Sequence, residues 1–475
     1  MKKRVLSLLL ILILCLTTIP VYGVSAAENT ITNEIGQSYS DWAFNDLVVG
    51  DSYGIYPLTW YKKDMTAPIT QGQFRILLAG LRIKILDTNC VTKTTDPIFQ
   101  LSKNITVKKV LETMYYMLSS YEFTTDIGLS GKSATKFMKE NGIYTGAKGE
   151  LTLTDTCSME QACVFATRLI TSVFDKLDAA SKGFFWVAKS GGNTVYMLGS
   201  IHLATNQIYP FSKEILNAYQ SSNALVEEID AYDFSGAYKM AQLGVYSDGT
   251  TLKDHVSAET YQKVVTLGAK YGLTEAMISM CKPWYLFCQF SALTYTSTGD
   301  LEDASAATNL GIDINFLNNA NIFGKPVLEI EGYEYQGKVL DSFSDELEEY
   351  LLNGTIDEVN DALNGNGSDN SEGLDVYLDL WRNGDVETFK EYNSFDIEYA
   401  DLFSEEATTE KALIEEFQNK LLTQRDLGMA DYIDKLLKAE GSSTYFIVVG
   451  SGHYISDYSV LDILNEKGYE ITQIK

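Results

Sequence analysis

Two histidines stand in matching sequence settings, each shortly after an apolar run that is typical of a buried strand. The segments read YMLGSIHLA at residues 196–204 and FIVVGSGHY at residues 446–454, and the histidines are His202 and His453. Each follows a Gly-Ser pair, and glycine permits a sharp backbone turn at the end of a strand. Because side chains at the carboxyl ends of parallel strands meet at one edge of a sheet, the pattern predicts that the two imidazoles lie close together.

Two neutral imidazoles at one site are suitable ligands for a transition metal, and a carboxylate would complete the ligand set. Glu228 is the candidate, because it ends the strand predicted after the first helix, in the segment NALVEEID. Glu227 is expected to point to the opposite face of that strand, and Asp313 and Glu331 are further carboxylates that could serve. A divalent ion held by such a set, with open positions, polarises a carbonyl and lowers the pKa of bound water, which is hydrolytic chemistry.

The same residues allow two other interpretations. Without a metal, a histidine could act as a general base that a carboxylate orients. Alternatively, both histidines are structural residues that pack at strand ends. Ser200 and Ser451 precede the histidines, but neither lies in the Gly-x-Ser-x-Gly elbow of a serine nucleophile. The third histidine, His255, lies at the start of a polar helix and is expected on the surface.

The composition restricts the partners and the redox chemistry. The chain has 64 acidic and 37 basic side chains, for a formal net charge of −27. Such a surface repels phosphate backbones, so we expect no binding to nucleic acid; divalent cations and basic partners are compatible with it. Beyond Cys15 there are five cysteines, an odd number, so at least one thiol is expected to lack an intramolecular partner. Cys281 and Cys288 are predicted to share a core helix.

The chain divides into three predicted regions. Residues 1–26 have a basic start, a short apolar stretch and small residues at the end, which is typical of a secretory signal peptide. The apolar stretch is shorter than the roughly 20 residues that span a bilayer, and no later segment is apolar enough, so no transmembrane segment is expected after cleavage. Residues 27–177 predict short amphipathic helices, and residues 183–475 predict an α/β domain. We therefore expect an extracellular protein.

The order of elements in the third region indicates its fold class. Residues 184–189 and 194–198 read as a β-hairpin around a Gly-Gly turn, and residues 445–449 are a continuous apolar run, as in buried parallel strands. Strand, Gly-Ser-x-His, loop, helix and strand follow one another at both ends, with a helical stretch at residues 235–425 between them. This predicts a two-half α/β sheet flanked by helices with a helical insertion, preceded by a small all-α repeat domain.

The second region resembles S-layer homology repeats, which hold exported proteins to cell-wall polymers. The stretches that carry the resemblance are SDWAFNDLVVGDSYGI, FMKENGIYTG and CSMEQA. Ser158 and Gln161 are spaced as a capping box for the last helix. The family usually has an arginine at the head of such helices, which would pair with anionic polymer, whereas this chain has Gln71 and Met159. The resemblance implies either wall binding or a helical spacer that has lost the ligand.

The third region resembles the TraB/GumN family, which is related to the Tiki proteases. The resemblance rests on YMLGSIHLA, ALVEEID, GIDINFLNNANIFGKPVLEIEGYEYQ, LLTQRDLGMADYI and the C-terminal segment that begins FIVVGSGHY, in this order and spacing. It implies a two-half α/β fold with a Gly-x-x-His motif in each half. In the Tiki branch these motifs and a glutamate are held to form a divalent-metal peptidase site, which here corresponds to His202, His453 and Glu228.

Further site residues follow from the same resemblance. Arg425 matches an arginine common before the last helix and is expected to neutralise an oxyanion or a substrate carboxylate. Glu331 and Gln336 match another family element, and Asp426 stands where asparagine is usual. Our first hypothesis is an exported hydrolase, a peptidase acting on peptide or protein, with Mn, Co or Zn on the two histidines and Glu228, and with Arg425 and Glu331 assisting. The alternative is a non-catalytic extracellular or wall-associated protein that binds or sequesters a peptide signal.

Overall fold

The computed structural model describes residues 38–94, 104–145, 152–296, 298–366, 369–393 and 405–475. The predicted signal peptide at residues 1–26 therefore lies outside the described residues. Two compact units form: one comprises Lys182–Thr205 with Glu214–Lys475, and the other comprises the described part of Ala26–Ser181 with Asn206–Lys213. Within the described ranges, none of the helices is both long and apolar enough to cross a membrane.

The N-terminal unit is helical, as the sequence predicts. Its α-helices are Phe44–Tyr53, Gln71–Leu86, Val107–Leu118, Ala134–Glu140 and Met159–Leu177, and short 3-10 helices occur at Asp41–Ala43, Leu58–Lys62 and Asn206–Ile208. A two-stranded antiparallel sheet joins β1 (Val91–Thr92) to β2 (Tyr121–Glu122).

Side-chain caps fix the starts of the two longest helices in this unit. The predicted capping box is confirmed: the Ser158 hydroxyl accepts the backbone N–H of Gln161, and the Gln161 side chain accepts the backbone N–H of Ser158. Thr70 and Gln73 form the same reciprocal pair at the head of Gln71–Leu86. Two of the four backbone N–H groups that a helix start leaves unpaired are thereby satisfied.

The second unit is built on a six-stranded mixed sheet. Its strands are β3 (Phe184–Ser190), β4 (Asn193–Ser200), β5 (Ala224–Glu227), β6 (Val327–Glu329), β7 (Thr444–Gly450) and β8 (Ile471–Gln473). Their order across the sheet is β6-β5-β7-β4-β3-β8. The first four run parallel, and β3 is antiparallel to both β4 and β8. The predicted α/β class is confirmed, because this sheet is flanked by helices and preceded by the helical region.

Strand β7 occupies the centre of the sheet because its sequence is apolar on both faces. Phe446, Ile447 and Val448 are all fully buried, which is the burial expected of a central parallel strand. The strand lies between β5, from the N-terminal part of the unit, and β4. The two halves of the predicted sheet are therefore interleaved, with a C-terminal strand inserted between two N-terminal ones.

Helices flank the sheet, and they also form most of the long segment between its N-terminal and C-terminal strands. From residue 213 onward the α-helices are Lys213–Ser221, Phe234–Leu243, Ala258–Lys270, Glu275–Met280, Pro283–Ser291, Leu301–Asn309, Ile312–Phe323, Tyr333–Leu340, Asp345–Leu363, Asp369–Asn383, Val386–Asn393, Glu405–Gln418, Gln424–Lys438, Gly452–Ile455 and Val460–Glu466. Short 3-10 helices lie at Leu252–Asp254 and Ala292–Tyr295, and a π-helical turn lies at Asn419–Thr423.

Two local predictions for the helical stretch are wrong. The stretch at residues 235–425 also contains β6, a three-residue edge strand that is too short to give a clear alternating pattern. Cys281 and Cys288 lie in different elements, because Lys282 is extended and Pro283 starts a new helix. Proline favours the first position of a helix and disfavours helical backbone in the residue before it, which accounts for the break.

Candidate functional site

The register of the two central parallel strands brings the Gly-Ser-x-His motifs side by side. In the β4–β7 pairing, Ser200 lies opposite Gly450. The backbone N–H and the hydroxyl of Ser451 both donate to the carbonyl of Ser200, each at 2.9 Å. A Cβ added at Gly199 would lie 2.8 Å from the Ser451 Oγ. Gly199 and Gly450, the first glycines of the two motifs, do not have a positive φ. Gly199 therefore allows the two motifs to pack closely, rather than providing the sharp turn that the sequence suggests.

Each motif histidine is held through Nδ1 by an aspartate. His202 Nδ1 lies 3.0 Å from Asp313 Oδ2, and His453 Nδ1 lies 2.5 Å from Asp426 Oδ1. The exposed fractions of the two histidines are 5 % and 0 %. In the part of the chain that the structure describes, the buried Nε2 atom of each ring has no hydrogen-bond partner. Both rings therefore retain one nitrogen for a ligand or a proton.

Glu228 joins the second motif to the rest of the site. It follows the last residue of β5, and its Oε1 accepts the backbone N–H of Gly450 at 2.7 Å. The same oxygen lies 3.8 Å from His453 Nε2, too far for a direct hydrogen bond. Oε2 accepts the side-chain amide of Gln336 at 2.9 Å and also pairs with Arg425. The predicted glutamate thus lies next to a motif imidazole, with its carboxylate fixed from several sides.

Arg425 binds carboxylates of the protein itself. Its Nε lies 3.0 Å and its Nη2 2.8 Å from oxygens of Glu331, and Nη2 also donates to Glu228. Nη1 lies 3.3 Å from the carbonyl of Leu421, in the π-helical turn Asn419–Thr423. The guanidinium is 2 % exposed. Its contacts orient Glu228 and Glu331, whereas the sequence assigned it to an oxyanion or a substrate carboxylate.

Burial and charge act in opposite directions on the ionisation of this cluster. Burial of Glu228 by itself raises its pKa, but Arg425, then His453 and His202, outweigh that effect and lower the pKa below its ordinary value. Burial of His202 favours the neutral ring, but the carboxylate of Asp313 outweighs it and raises the pKa of the imidazole. The glutamate is therefore held as a carboxylate in a site almost closed to water.

Two residues that the sequence placed outside the site have distinct surroundings. Glu227 is 1 % exposed, and burial, with Asp313 and Glu228 nearby, raises its pKa well above the ordinary value. The carboxyl of Glu227 therefore holds its proton more strongly than an ordinary glutamate does. His255 is half-buried rather than fully on the surface, and its ring stacks on Tyr246 at a centroid distance of 4.5 Å.

The residues present have the donor chemistry for a divalent ion, although they do not form a closed ligand cluster. No group of three or more His, Cys, Asp or Glu side chains in the described ranges is arranged to hold a metal. Nevertheless, the Nε2 atoms of His202 and His453 lie buried without a partner among the described residues. The 3.8 Å between His453 Nε2 and Glu228 Oε1 is less than the roughly 4.2 Å that two metal–ligand bonds can span.

The sequence missed the roles of two aspartates. The sequence indicates Asp313 only as another possible ligand, and Asp426 only as a departure from asparagine. Asp313 lies in the first turn of the helix Ile312–Phe323, two residues after Gly311, and a Cβ added at Gly311 would lie 2.3 Å from the carbonyl oxygen of His202. The one feature of the sequence that could have indicated the role of Asp313 is Gly311, a glycine at the start of a helix shortly before an acidic residue. It indicates close backbone packing, but it does not say against which segment.

Comparison with known proteins extends this description. The profile of the TraB/PrgY/gumN family matches residues 184–473. The chain is 22 % identical over 307 residues to "Metalloprotease TIKI2" of Danio rerio, covering 58 % of this chain and 57 % of that protein. It is 20 % identical over 314 residues to "Metalloprotease TIKI1" of Danio rerio, covering 61 % and 62 %. It is 24 % identical over 146 residues to "Uncharacterized protein YbaP" of Escherichia coli (strain K12), covering 31 % and 51 %.

The chain spans less than two thirds of the length of each of these relatives. No solved structure matches significantly. The family profile begins at the first residue of β3 and ends at the last residue of β8, so it covers the whole sheet and every member of the buried cluster. The chain therefore belongs to the TraB/PrgY/gumN family.

Proposed function

We propose that this chain is a metal-dependent hydrolase, a peptidase acting on peptide or protein, in which His202, His453 and Glu228 bind Mn, Co or Zn. The observation that carries the proposal is the pair of buried Nε2 atoms, which lack hydrogen-bond partners among the described residues. Leaving a buried polar atom without a partner is costly, and a cation would satisfy both. The relatives named as metalloproteases support the reaction class.

Each residue of the site has a separate role in the proposed reaction. A bound divalent ion would polarise the scissile carbonyl and lower the pKa of a water molecule. Glu228 stays ionised and contributes negative charge next to His453. Arg425 and Glu331, assigned to catalysis from the sequence, act through Glu228: the guanidinium bridges the two carboxylates and holds one of them towards the histidines. They are positioning residues in this proposal.

Access to the site requires movement of the residues that cover it. His202, His453, Glu228 and Arg425 are each at most 5 % exposed, so a substrate carbonyl does not reach the Nε2 atoms in the conformation described. The alternative, a non-catalytic protein that binds or sequesters a peptide signal, requires no contact between the peptide and the Nε2 atoms. The net charge of −27 suits a basic peptide in either case.

Metal analysis separates these candidates. The protein is purified without a histidine tag, loaded with Zn²⁺, Co²⁺ or Mn²⁺, and analysed for bound metal and for hydrolysis of a mixed peptide library. We expect metal in the wild type and in His255→Ala, loss of metal in His202→Ala and His453→Ala, and peptide cleavage that stops with chelator and returns with metal. Bound metal without cleavage would support the sequestering protein. If the wild type binds none of the three ions, the proposal is wrong.

We also propose that the protein is extracellular and that its N-terminal helices contact cell-wall polymer. The support is the predicted signal peptide and the resemblance to wall-binding repeats. Of the two positions where those repeats usually carry arginine, Gln71 is exposed, whereas Met159 is buried. The test is retention of the full chain on purified wall fragments. Retention that Gln71→Arg strengthens would support wall binding, and no retention of either form would reject it.

A further inference from the structure

We propose that Asp313 and Asp426 are positioning residues that fix both motif imidazoles with hydrogen on Nδ1 and a lone pair on Nε2. Both rings then present a metal-binding nitrogen within the buried cluster. The role of the two aspartates in metal affinity rests on the function proposed above, whereas their effect on the tautomers of His202 and His453 does not. Each aspartate is at most 3 % exposed, so neither carboxylate is balanced by bulk water.

Asp313 is tied to the first motif by the backbone as well as by its side chain. The backbone N–H of Ile312 donates to the carbonyl of Ile201 at 3.2 Å, and the N–H of Ala204 donates to the carbonyl of Ala307 at 3.0 Å. The motif and the start of the helix Ile312–Phe323 therefore move together. Since the aspartate and the ring of His202 belong to segments locked in this way, the 3.0 Å contact between them is built into the fold.

Asp426 is fixed by its neighbour in the chain. Arg425, one residue earlier, is held by Glu228 and Glu331, and a single helical turn thus carries contacts to Glu228 and to the second motif. Asp426 Oδ1 lies 2.5 Å from His453 Nδ1. A π-helical turn, Asn419–Thr423, directly precedes this segment, and such turns recur at functional sites.

The chemistry of the carboxylate decides the tautomer. The carboxylate oxygens of Asp313 and Asp426 face the Nδ1 atoms at hydrogen-bond distance, and a carboxylate oxygen accepts a hydrogen bond, so Nδ1 of each ring is the donor. In a neutral imidazole the lone pair is then on Nε2, which is the form that binds a metal. Carboxylates and carbonyls that bind the second nitrogen of a metal-ligating histidine act in this way, and their removal typically weakens metal binding about 10–100-fold.

Nitrogen NMR of the imidazoles tests the proposal directly, because the chain has only three histidines. The protein is labelled with ¹⁵N in histidine and studied without metal, at a pH well above the ordinary histidine pKa of about 6.5. We expect the Nδ1–H tautomer for His202 and His453. Asp313→Ala should release that preference for His202 only, and Asp426→Ala for His453 only, with His255 as the internal reference. The Nε2–H tautomer in the wild type, or tautomers that the alanine variants leave unchanged, would overturn the proposal.

Cobalt binding is the second measurement. It separates the effect of the two aspartates on the tautomers from their effect on metal affinity. The wild type, Asp313→Leu and Asp426→Leu are titrated with Co²⁺ and followed by absorbance; leucine keeps the volume if an alanine variant does not fold and, unlike asparagine, cannot accept the Nδ1 hydrogen. We expect affinity to fall about 10–100-fold in each variant. If the wild type binds none of Co²⁺, Zn²⁺ and Mn²⁺ while the tautomers respond as expected, the proposed function fails and the positioning role stands. If Co²⁺ binds and no aspartate variant changes its affinity, the positioning role in metal binding is wrong.

Discussion

Ser451 donates two hydrogen bonds to one atom, the carbonyl oxygen of Ser200, through its backbone N–H and its hydroxyl. The two residues are 251 positions apart in the chain. They are the serines of the two Gly-Ser-x-His motifs, so the repeated motif is also the joint between the halves of the sheet. Both histidines depend on this joint, because each lies two residues after its serine.

The packing at this joint predicts that Gly199→Ala disturbs both motifs. An added Cβ would lie 2.8 Å from the Oγ and 3.1 Å from the Cα of Ser451, and the second of these is backbone that cannot rotate away. We expect a loss of about 1–3 kcal/mol in the free energy of unfolding, as for other overpacked cores, together with weaker Co²⁺ binding. Denaturant unfolding and the cobalt titration measure the two effects.

Gly428→Ala is the matched control. Gly428 lies in the helix Gln424–Lys438, is exposed, and has nothing within 4 Å of an added Cβ. Alanine in a helix interior is about 1 kcal/mol more favourable than glycine, so this variant should be neutral or more stable. A Gly199→Ala protein as stable as the control would show that the motifs do not pack as described.

Most strands of the six-stranded sheet could be predicted from the sequence, whereas the short strand β6 and the polar contacts of the site could not. β7 and the β3–β4 hairpin have strong local patterns, and the two histidines are marked by a repeat. The third ligand candidate, Glu228, followed from strand alternation. The partnership of Asp426 with His453 depends on how the helix Gln424–Lys438 lies against the sheet, which no local pattern specifies. For the same reason no local pattern indicates that two carboxylates enclose Arg425.

That enclosure predicts a strong dependence of stability on Arg425. Arg425→Met leaves the carboxylates of Glu228 and Glu331 buried without their cation, and breaking such a pair costs about 3–5 kcal/mol. Removing one of the two charges as well should relieve part of this cost. We therefore expect Arg425→Met with Glu331→Gln to be more stable than Arg425→Met alone, and a double-mutant cycle from denaturant unfolding measures the coupling.

An exposed ion pair provides the comparison for this cycle. Lys338 Nζ lies 2.6 Å from Glu334 Oε1, with side chains 63 % and 54 % exposed. Pairs of this kind contribute at most about 1 kcal/mol, so Lys338→Met should change stability little. An Arg425→Met variant that is no less stable than Lys338→Met would show that the carboxylates are solvated in the folded protein.

The cysteines predict a clear order of alkylation. The five cysteines in the described ranges form no disulfide; Cys157, Cys163 and Cys288 are buried, whereas Cys90 and Cys281 are partly exposed. Burial raises the pKa of Cys281 to about 11, so its reactive thiolate is scarce at neutral pH and labelling is slow. We expect iodoacetamide to label Cys90 and Cys281 in the native protein and the other three only after unfolding. Peptide mapping by mass spectrometry measures this, and native labelling of Cys157 would contradict the burial.

The raised pKa of the buried Glu348 carboxyl predicts how the stability of the protein depends on pH. Glu348 is 7 % exposed, and burial, reinforced by Asp341 and Asp345 and opposed by the Trp284 backbone N–H and by Lys282, raises its pKa from 4.5 to about 8. Between these values the folded state keeps a proton that the unfolded state releases. The contribution of Glu348 to the free energy of unfolding is therefore complete below pH 4.5. It is lost as the pH rises towards 8, at up to about 1.4 kcal/mol per pH unit.

Glu348→Gln removes this dependence, because glutamine has a similar shape, can accept the same backbone N–H, and does not ionise. We expect the variant to match the wild type near pH 4.5 and to be more stable than it at pH 8, as measured by thermal unfolding across that range. Glu346→Gln, at an exposed position of the same helix, is the control and should leave the slope unchanged. Parallel pH profiles for the wild type and Glu348→Gln would mean that the carboxyl at position 348 is solvated and ionised in the folded protein.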